Sequence, residues 1–477
     1  MGKIAISGWA ITKHPKYIRL SLIFIKNQKN GLRNFIRMAN IIPFQGILYN
    51  PKIIKNLADV TTPPYDVIQK HEQKNYYNLH PNNIIRLILG KTSENDTSDN
   101  NCYTRAAEHF NSWLSKNILI QDNSPAYYLT SIEFPHEGTT IQRFGLLSLV
   151  GIEPFKKGII LPHEKTFSKV KSERFELLKA SNANFSPIFS LYHDQKNILS
   201  YLKNAISNKK TDSDFTDSLG HRHKLWRITD KTVHNYVTDA MKDMTLFIAD
   251  GHHRYETALN YRDWLSEKNH DYSIQHPANY IMMYLCSMDD PGLIIRPAHR
   301  IIKRVKPVLL ASFIDKAKTY FEIQTIPFNL NDIEKSRKQF VSALKTSNEK
   351  KTIGVTIKDC SEFYLFMLKP NIMKRLFSDE LSALLMDIDV TVLTRLILME
   401  ILEFSKENLD NKNLISYSSS EKHSIEAVLS GKCDMSLLLN PTSIKQVKNI
   451  AEKGMIMPRK STYFYPKVIT GQVINKL

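Results

Sequence analysis

The chain has 477 residues, 42% hydrophobic and 23% charged, a globular balance that excludes a fibrous, collagen-like or wholly disordered protein. That length calls for two or three domains rather than one core. Lys and Arg number 65 against 47 Asp and Glu, a net charge of +18, which suits anionic ligands as readily as nucleic acid and decides nothing alone.

The excess is uneven. Residues 1–37 hold eight basic side chains and no acid, leaving 57 against 47 in the remainder. This basic segment reads as an amphipathic targeting arm, a disordered tail, or an extension upstream of an internal start at Met38. The last reading is preferred, because Met38-Ala-Asn-Ile-Ile-Pro-Phe44 resembles the opening of a folded domain. The apolar patch Leu20 to Ile25 is too short for a signal peptide and lacks a small-residue cleavage site. No run of about 18 apolar residues exists to span a membrane. Cys102, Cys286, Cys360 and Cys433 are scattered, with no CxxC pair, so a reducing, cytoplasmic setting is expected. The expected division is a disordered extension over 1–37, a phosphate-binding region over 38–306 and an α/β region over 307–477.

In chain order, the polar stretches Lys91 to Asn101 and Ser207 to Gly220 read as surface loops. Tyr127 to Phe134 and Gln142 to Val150 are strands joined at Pro135-His-Glu-Gly138. Met244 to Ala249 is a short buried strand ended by Asp250-Gly251, and His253 to Leu265 carries a helical pattern. Tyr280 to Ser287 and Leu293 to Lys303 are expected to pair through the turn Asp289-Asp-Pro-Gly292. Leu309 to Phe321, Asn331 to Leu344, Asp389 to Phe404 and Ser443 to Gly454 read as helices, and Lys351 to Ile357 with Glu362 to Leu368 as a hairpin. Strands followed by helices without a strict repeat predict an α/β or mixed α+β fold.

The segment richest in chemistry is Phe247-Ile-Ala-Asp-Gly-His-His-Arg-Tyr-Glu-Thr-Ala-Leu259. A strand delivers the chain to Asp250, and Gly251 permits a tight turn. The helix that follows opens with unpaired amides and a dipole that favours negative charge. His252, His253 and Arg254 at that opening make a phosphate receptor, and Asp250 could take a hydroxyl proton or hold Mg²⁺ through water. The plainer alternative is a helix capped by Asp250 with surface histidines; four functional side chains in five positions favour the site.

Three further clusters carry weaker signals. Leu161-Pro-His-Glu-Lys-Thr-Phe167 presents His163 and Glu164 on a loop, equally readable as a solvated charged loop. Thr61-Thr-Pro-Pro-Tyr-Asp66 precedes His80-Pro-Asn-Asn-Ile-Ile-Arg86; Asp66 and Arg86 could face one ligand or form a structural ion pair. In Met457-Pro-Arg-Lys-Ser-Thr-Tyr-Phe-Tyr-Pro-Lys467, Lys460, Ser461 and Thr462 offer an ammonium and two hydroxyls, although no Walker loop is present. A terminal core strand is the alternative there. His221 and His223 resemble half a metal site and are expected as exposed strand residues.

Taken in order, the segments PPYDV (Pro63 to Val67), HPNNIIRL (His80 to Leu87), LPHEKT (Leu161 to Thr166), SPIFSLY (Ser186 to Tyr192), ADGHHRYETAL (Ala249 to Leu259) and SMDDPGLIIRPAHR (Ser287 to Arg300) resemble the domain-of-unknown-function 1015 family. NPTS (Asn440 to Ser443) and MPRKSTYFYPK (Met457 to Lys467) extend the resemblance to the C-terminus. That family is distantly similar to the ParB and sulfiredoxin superfamily through a Gly-x-x-Arg-Tyr pattern, here Gly251, Arg254 and Tyr255. The resemblance implies a ParB/sulfiredoxin-like core with α/β additions at both ends and a nucleotide-dependent phosphotransferase acting on free serine or phosphoserine.

On that implication, Gly251, His252, His253, Arg254 and Tyr255 cradle the phosphates of ADP or ATP, with Lys460, Ser461 and Thr462 approaching them. Mg²⁺ is expected with the nucleotide. Asp250 and Glu164, then Asp66, are the proton acceptors considered; His163, Asp66, Arg86 and Arg300 contact the small-molecule substrate. Neither a membrane nor nucleic acid is an expected partner. A metal-dependent phosphatase and a non-catalytic ParB-like nucleotide- or DNA-binding protein are the rival readings.

Overall fold

Successive side chains of the strand Leu246–Asp250 enter opposite faces of a sheet: Leu246 and Ile248 join one apolar cluster, Phe247 and Ala249 the other. A short unbroken apolar run takes this two-sided burial when its strand lies inside a sheet. The computed structural model describes residues 39–164, 168–347 and 350–477. The readings of the basic segment 1–37 therefore lie outside the described residues, as does the end of the His163 cluster, residues 165–167.

Among the described residues nine strands form the larger sheet. They are β1 (Ile41–Ile42), β2 (Tyr127–His136), β3 (Thr139–Gly151), β4 (Ile160–Leu161), β5 (Ile188–Tyr192), β6 (Ser213–Thr216), β7 (Arg222–Ile228), β8 (Leu246–Asp250) and β9 (Tyr280–Ser287). The order is β4-β8-β5-β9-β3-β2-β7-β6, with β1 paired to β3. β8 is parallel to β4 and β9 to β5; the other neighbours are antiparallel. The register of β8 on β5 shifts between Ile248 and Asp250, a bulge of the kind that re-aims a strand end. Helices α1 (Lys70–Leu79), α2 (Ser168–Ser181) and α3 (His252–Lys268) matter most for the site. α2 and α3 pack together and share a Lys171–Glu256 ion pair of 2.7 Å.

The second sheet has six antiparallel strands, β10 (His299–Ile302), β11 (Phe321–Pro327), β12 (Thr352–Ile357), β13 (Glu362–Leu368), β14 (Ile415–Ser418) and β15 (Met435–Leu438), in the order β11-β13-β12-β15-β10-β14. The chain end then returns to the first half. Tyr463–Tyr465 pairs with Ile294–Arg296, and Asn475–Lys476 pairs with Ala183–Asn184. Mixed sheets with helices make this an α/β fold of the mixed α+β kind.

The hairpins expected at Pro135–Gly138 and between 357 and 362 form as read. The pairing expected around Asp289–Gly292 does not. β9 instead inserts between β5 and β3, Ile294–Arg296 joins the C-terminal strand, and β10 enters the second sheet. The cause is Asp290, whose carboxylate accepts from Gly292 N at 2.8 Å and from Phe144 N at 3.0 Å. That ties the turn to β3 instead of folding the strand back. The expected helix Leu309 to Phe321 divides into Pro307–Ala311 and Phe313–Ala317, and Phe321 begins β11. The expected helix Asp389 to Phe404 is one α-turn, Asp389–Val392, continued as the π-helical Leu393–Ile401. Within the loop expected over Ser207 to Gly220, Ser213–Thr216 adds an edge strand.

His221 and His223 are buried rather than exposed. His221 lies just before β7 and His223 within it, both in step with the buried Leu225; His223 Nε2 lies 2.9 Å from Asp217 Oδ2, and His221 Nε2 lies 3.1 Å from the Tyr465 hydroxyl. Paired in this way, imidazoles can be buried without stranding a polar atom.

Candidate active site

Gly251 adopts φ +95°, a conformation that strains a side-chain-bearing residue, and it opens α3 with no side chain capping the helix. The reading of Asp250 as the helix cap is thus replaced: the cap position is Gly251, and the Asp250 carboxylate points to cations. Its Oδ1 accepts from Lys467 Nζ at 2.6 Å and its Oδ2 from Arg254 Nη2 at 2.7 Å. Burial opposes ionisation of Asp250, but Lys467 and Arg254 outweigh it and hold the carboxyl well below the usual carboxylate range. For Lys467 burial works against the ammonium, while Asp250, backed by Asp66, raises its pKa. Two cations around one carboxylate leave one net positive charge beside an uncapped helix N-terminus. That arrangement attracts anions.

Arg254 also donates through Nη1 to the Pro187 carbonyl, which fixes the guanidinium against β5. Tyr255 is fully buried; its hydroxyl donates to Glu153 O at 2.8 Å and accepts from Glu153 N at 2.9 Å. It therefore anchors α3 in the core rather than facing the helix opening.

A pair of buried imidazoles lies alongside. The rings of His163 and His252 stand 4.8 Å apart, edge to face. His252 Nε2 accepts the His163 backbone N–H at 3.3 Å, and His163 Nε2 lies 3.0 Å from the Thr462 hydroxyl. Burial lowers both imidazole pKa values, and for His252 the neighbouring His163 lowers it further. His163 Nδ1 is buried without a hydrogen-bond partner. His253 is half-buried; burial lowers its pKa, while Glu256 and Asp66 oppose that. Asp66 is exposed, yet its charge acts on His253, Lys467 and Tyr65, so the Pro63–Val67 loop adjoins α3.

Glu164 Oε1 lies 3.9 Å from His163 Nε2, and its charge also acts on Arg300. Arg300 is buried; burial lowers its pKa, and its Nη2 donates to Arg459 O at 3.1 Å. Thr462 and Ser461 are buried, with Ser461 Oγ donating to Pro458 O at 2.5 Å. Lys460 is exposed. Arg86 stands apart from this group: it donates to His80 O and Tyr77 O, both at 2.9 Å, and stacks over the Tyr77 ring.

The structure thus gathers Asp66, His163, Glu164, Asp250, His252, His253, Arg254 and Thr462, with Arg300 behind Glu164. Lys467 is the main addition, and Arg143 is the second. Arg143 is 1% exposed, lies over the Phe189 ring and donates to Tyr465 O at 3.1 Å, so it moors the end of the strand Tyr463–Tyr465, two residues before Lys467. Space divides around the ion pair. Arg254 borders a small cavity of about 60 Å³ with Tyr65 and Arg174, and Lys467 borders a larger one of about 240 Å³.

The family model described as protein of unknown function (DUF1015) matches residues 41–391. The chain belongs to that family. No curated protein matches it. Among solved structures the chain is similar to a mutant free serine kinase in complex with ADP, at 9% identity and TM-score 0.32, over 64% of this chain and 84% of that one. A conserved hypothetical protein from Pyrococcus furiosus is similar at 10% identity and TM-score 0.32, over 65% and 89%. SbnI from Staphylococcus aureus, truncated at its C-terminus, is similar at 11% identity and TM-score 0.30, over 69% and 86%. Likeness this distant leaves the chemistry to be argued from the family member's own residues.

No group of three or more His, Cys, Asp or Glu among the described residues is placed to hold a metal ion, and no described helix is long and apolar enough to cross a membrane. Both Asp250 oxygens are engaged by cations, so this carboxylate does not fit a direct Mg²⁺ ligand.

Proposed function

We propose that this protein is a cytoplasmic, nucleotide-dependent phosphotransferase acting on free serine or phosphoserine. One observation carries the reading: Lys467 and Arg254 flank Asp250 at the uncapped, glycine-opened start of α3. Phosphoryl transfer needs anion positioning and charge neutralisation more than covalent chemistry, and this junction offers both. The resemblance of the Gly251, Arg254 and Tyr255 pattern to the ParB and sulfiredoxin superfamily, one branch of which is the free serine kinases, supports nucleotide phosphates at this junction, with serine as the proposed acceptor.

In the direction from phosphoserine, the bond between phosphorus and the serine Oγ breaks, and a bond to the terminal phosphate oxygen of ADP forms. The serine oxygen then takes a proton. Asp250, held ionised by two cations, is a poor donor or acceptor for it. Glu164, 3.9 Å from His163 Nε2, suits the role better: in the direction from serine its carboxylate accepts the Oγ proton, and in the direction from phosphoserine the carboxylic acid returns it. Mg²⁺ would come with the nucleotide.

The purified chain is incubated with phosphoserine and Mg²⁺, with and without ADP. ATP formation that depends on ADP upholds the proposal. Phosphate released equally without ADP would replace it with a hydrolase, and inactivity in both arms with retained nucleotide binding would leave a sensor.

A further inference from the structure

The larger cavity beside Lys467 has a composition that the phosphate reading does not explain. Tyr463, Tyr465, His221 and Tyr76 of α1 line a space of about 240 Å³. Ligand pockets for whole drug-sized molecules run to about 300–1,000 Å³, so this one suits a single ring system. Its mouth is apolar: Leu79 and Leu219, both among its lining residues, are 51% and 65% exposed. Water-facing leucines at the lip of an aromatic-walled cavity favour a flat, partly apolar guest.

Charge is graded across the same space. Lys467 marks one end, while Glu72 and Asp217 also line the cavity. The polar groups of the wall are largely satisfied by one another: His223 bonds Asp217 at 2.9 Å, and His221 bonds the Tyr465 hydroxyl at 3.1 Å. The Tyr465 ring carries the Arg296 guanidinium and the Tyr463 ring carries Lys467 Nζ, 3.3 and 5.0 Å from their centroids, which leaves Tyr76 as the lining tyrosine for a guest ring to stack on. A nucleotide is polarised the same way, with anionic phosphates at one end and an uncharged ring carrying N–H donors at the other.

We propose that this cavity receives the nucleobase of the nucleotide whose phosphates lie at Lys467 and Arg254. The inference rests on the phosphate-cradle reading. It places the base against the Tyr76 ring, toward Glu72 and Asp217, and leaves the amino acid to the side of His163 and Glu164.

The test is calorimetric titration of the full chain with ADP, with pyrophosphate and with phosphoserine, alongside ligand-detected NMR with adenosine. Two variants, Tyr76→Ala and Leu219→Asp, alter half-buried or exposed side chains, and circular dichroism checks their folding. Base stacking is lost when an aromatic side chain is truncated, so Tyr76→Ala should weaken ADP roughly tenfold; Leu219→Asp, which puts a charge at the apolar lip, should weaken it in the same direction, and both should change pyrophosphate by less than about twofold. Unchanged ADP affinity in both variants overturns the proposal, as does weakened phosphoserine binding with ADP unaffected. If the unmodified chain binds neither ADP nor pyrophosphate, the cradle reading fails instead. Adenosine then decides the cavity: a signal lost in Tyr76→Ala upholds it, and no signal in the unmodified chain overturns it.

Discussion

Lys467 Nζ stands 2.6 Å from Asp250 Oδ1, although 217 residues of sequence separate them. With Arg254 on the other oxygen, the contact turns a strand end and the C-terminal run into one charged unit. The side chains of Asp250 and Lys467 are 14% and 12% exposed, so solvent screens the pair weakly.

Removing one partner of a buried ion pair costs about 3–5 kcal/mol, because the other charge is stranded. Arg254 still holds the second oxygen, so Lys467→Met is expected near the low end of that range. The double variant Asp250→Asn with Lys467→Met should lose more than the single one, because Arg254 is then stranded without its carboxylate. Urea unfolding of the two variants checks this, and a double variant no less stable than the single one would mean that packing rather than charge sets the cost.

Gly251→Ala should damage the helix opening directly. At φ +95° a side chain is strained, and the added Cβ would lie 3.0 Å from the Arg254 guanidinium carbon. Left-handed backbone costs an L-residue about 1–2 kcal/mol. A matching loss of stability is expected, together with weakened pyrophosphate binding as Arg254 is displaced. Binding unchanged beside a clear stability loss would place the anion elsewhere.

Acid should destabilise the protein in two stages. Burial lowers His299 to about 4, and its Nδ1 accepts from Leu439 N at 3.2 Å, which only a neutral imidazole allows. A histidine lowered from 6.5 contributes stability that is fully present above pH 6.5 and lost as pH falls toward 4, about 3 kcal/mol here. His163 and His252, lowered by burial, add in the same direction. Asp250 acts later: its depressed carboxyl stabilises above the unfolded value of 3.8 and loses that contribution as pH falls through its folded value. Denaturation curves between pH 7.5 and 3 should show His299→Gln, which keeps an acceptor for Leu439, flattening only the first stage.

Arg143 positions the site without touching it. It donates to Tyr465 O and to the Tyr284 hydroxyl at 3.1 and 3.2 Å. Arg143→Met should raise amide exchange across residues 463–467 and weaken ADP binding, with α3 exchange unchanged. A uniform rise across both segments would point to general core damage.

The β8–Gly251–α3 junction was legible because its signals are local: an apolar run, a glycine, then a helical period. His221, just before β7, and His223 within it carried a readable signal too, since they alternate in step with the buried Leu225. Strict alternation would have moved them from an exposed to an inward position. Lys467 offered no such cue. Its partner is fixed by which strands pair, and Asp290 redirects that pairing by binding Phe144 N, a contact 146 residues away that no spacing announces. Arg86 misled for the opposite reason: a cation near prolines reads as a ligand contact, but the carbonyls of Tyr77 and His80 consume it.

The strand Tyr463–Tyr465 closes the anion receptor last in chain order. During synthesis, Asp250 and Arg254 leave the ribosome well before their third partner, so the receptor cannot assemble on a nascent chain that stops short of Lys467. Translation that ends early would release a polypeptide with the larger sheet yet with an Asp250–Arg254 pair that lacks the surplus positive charge of the cradle.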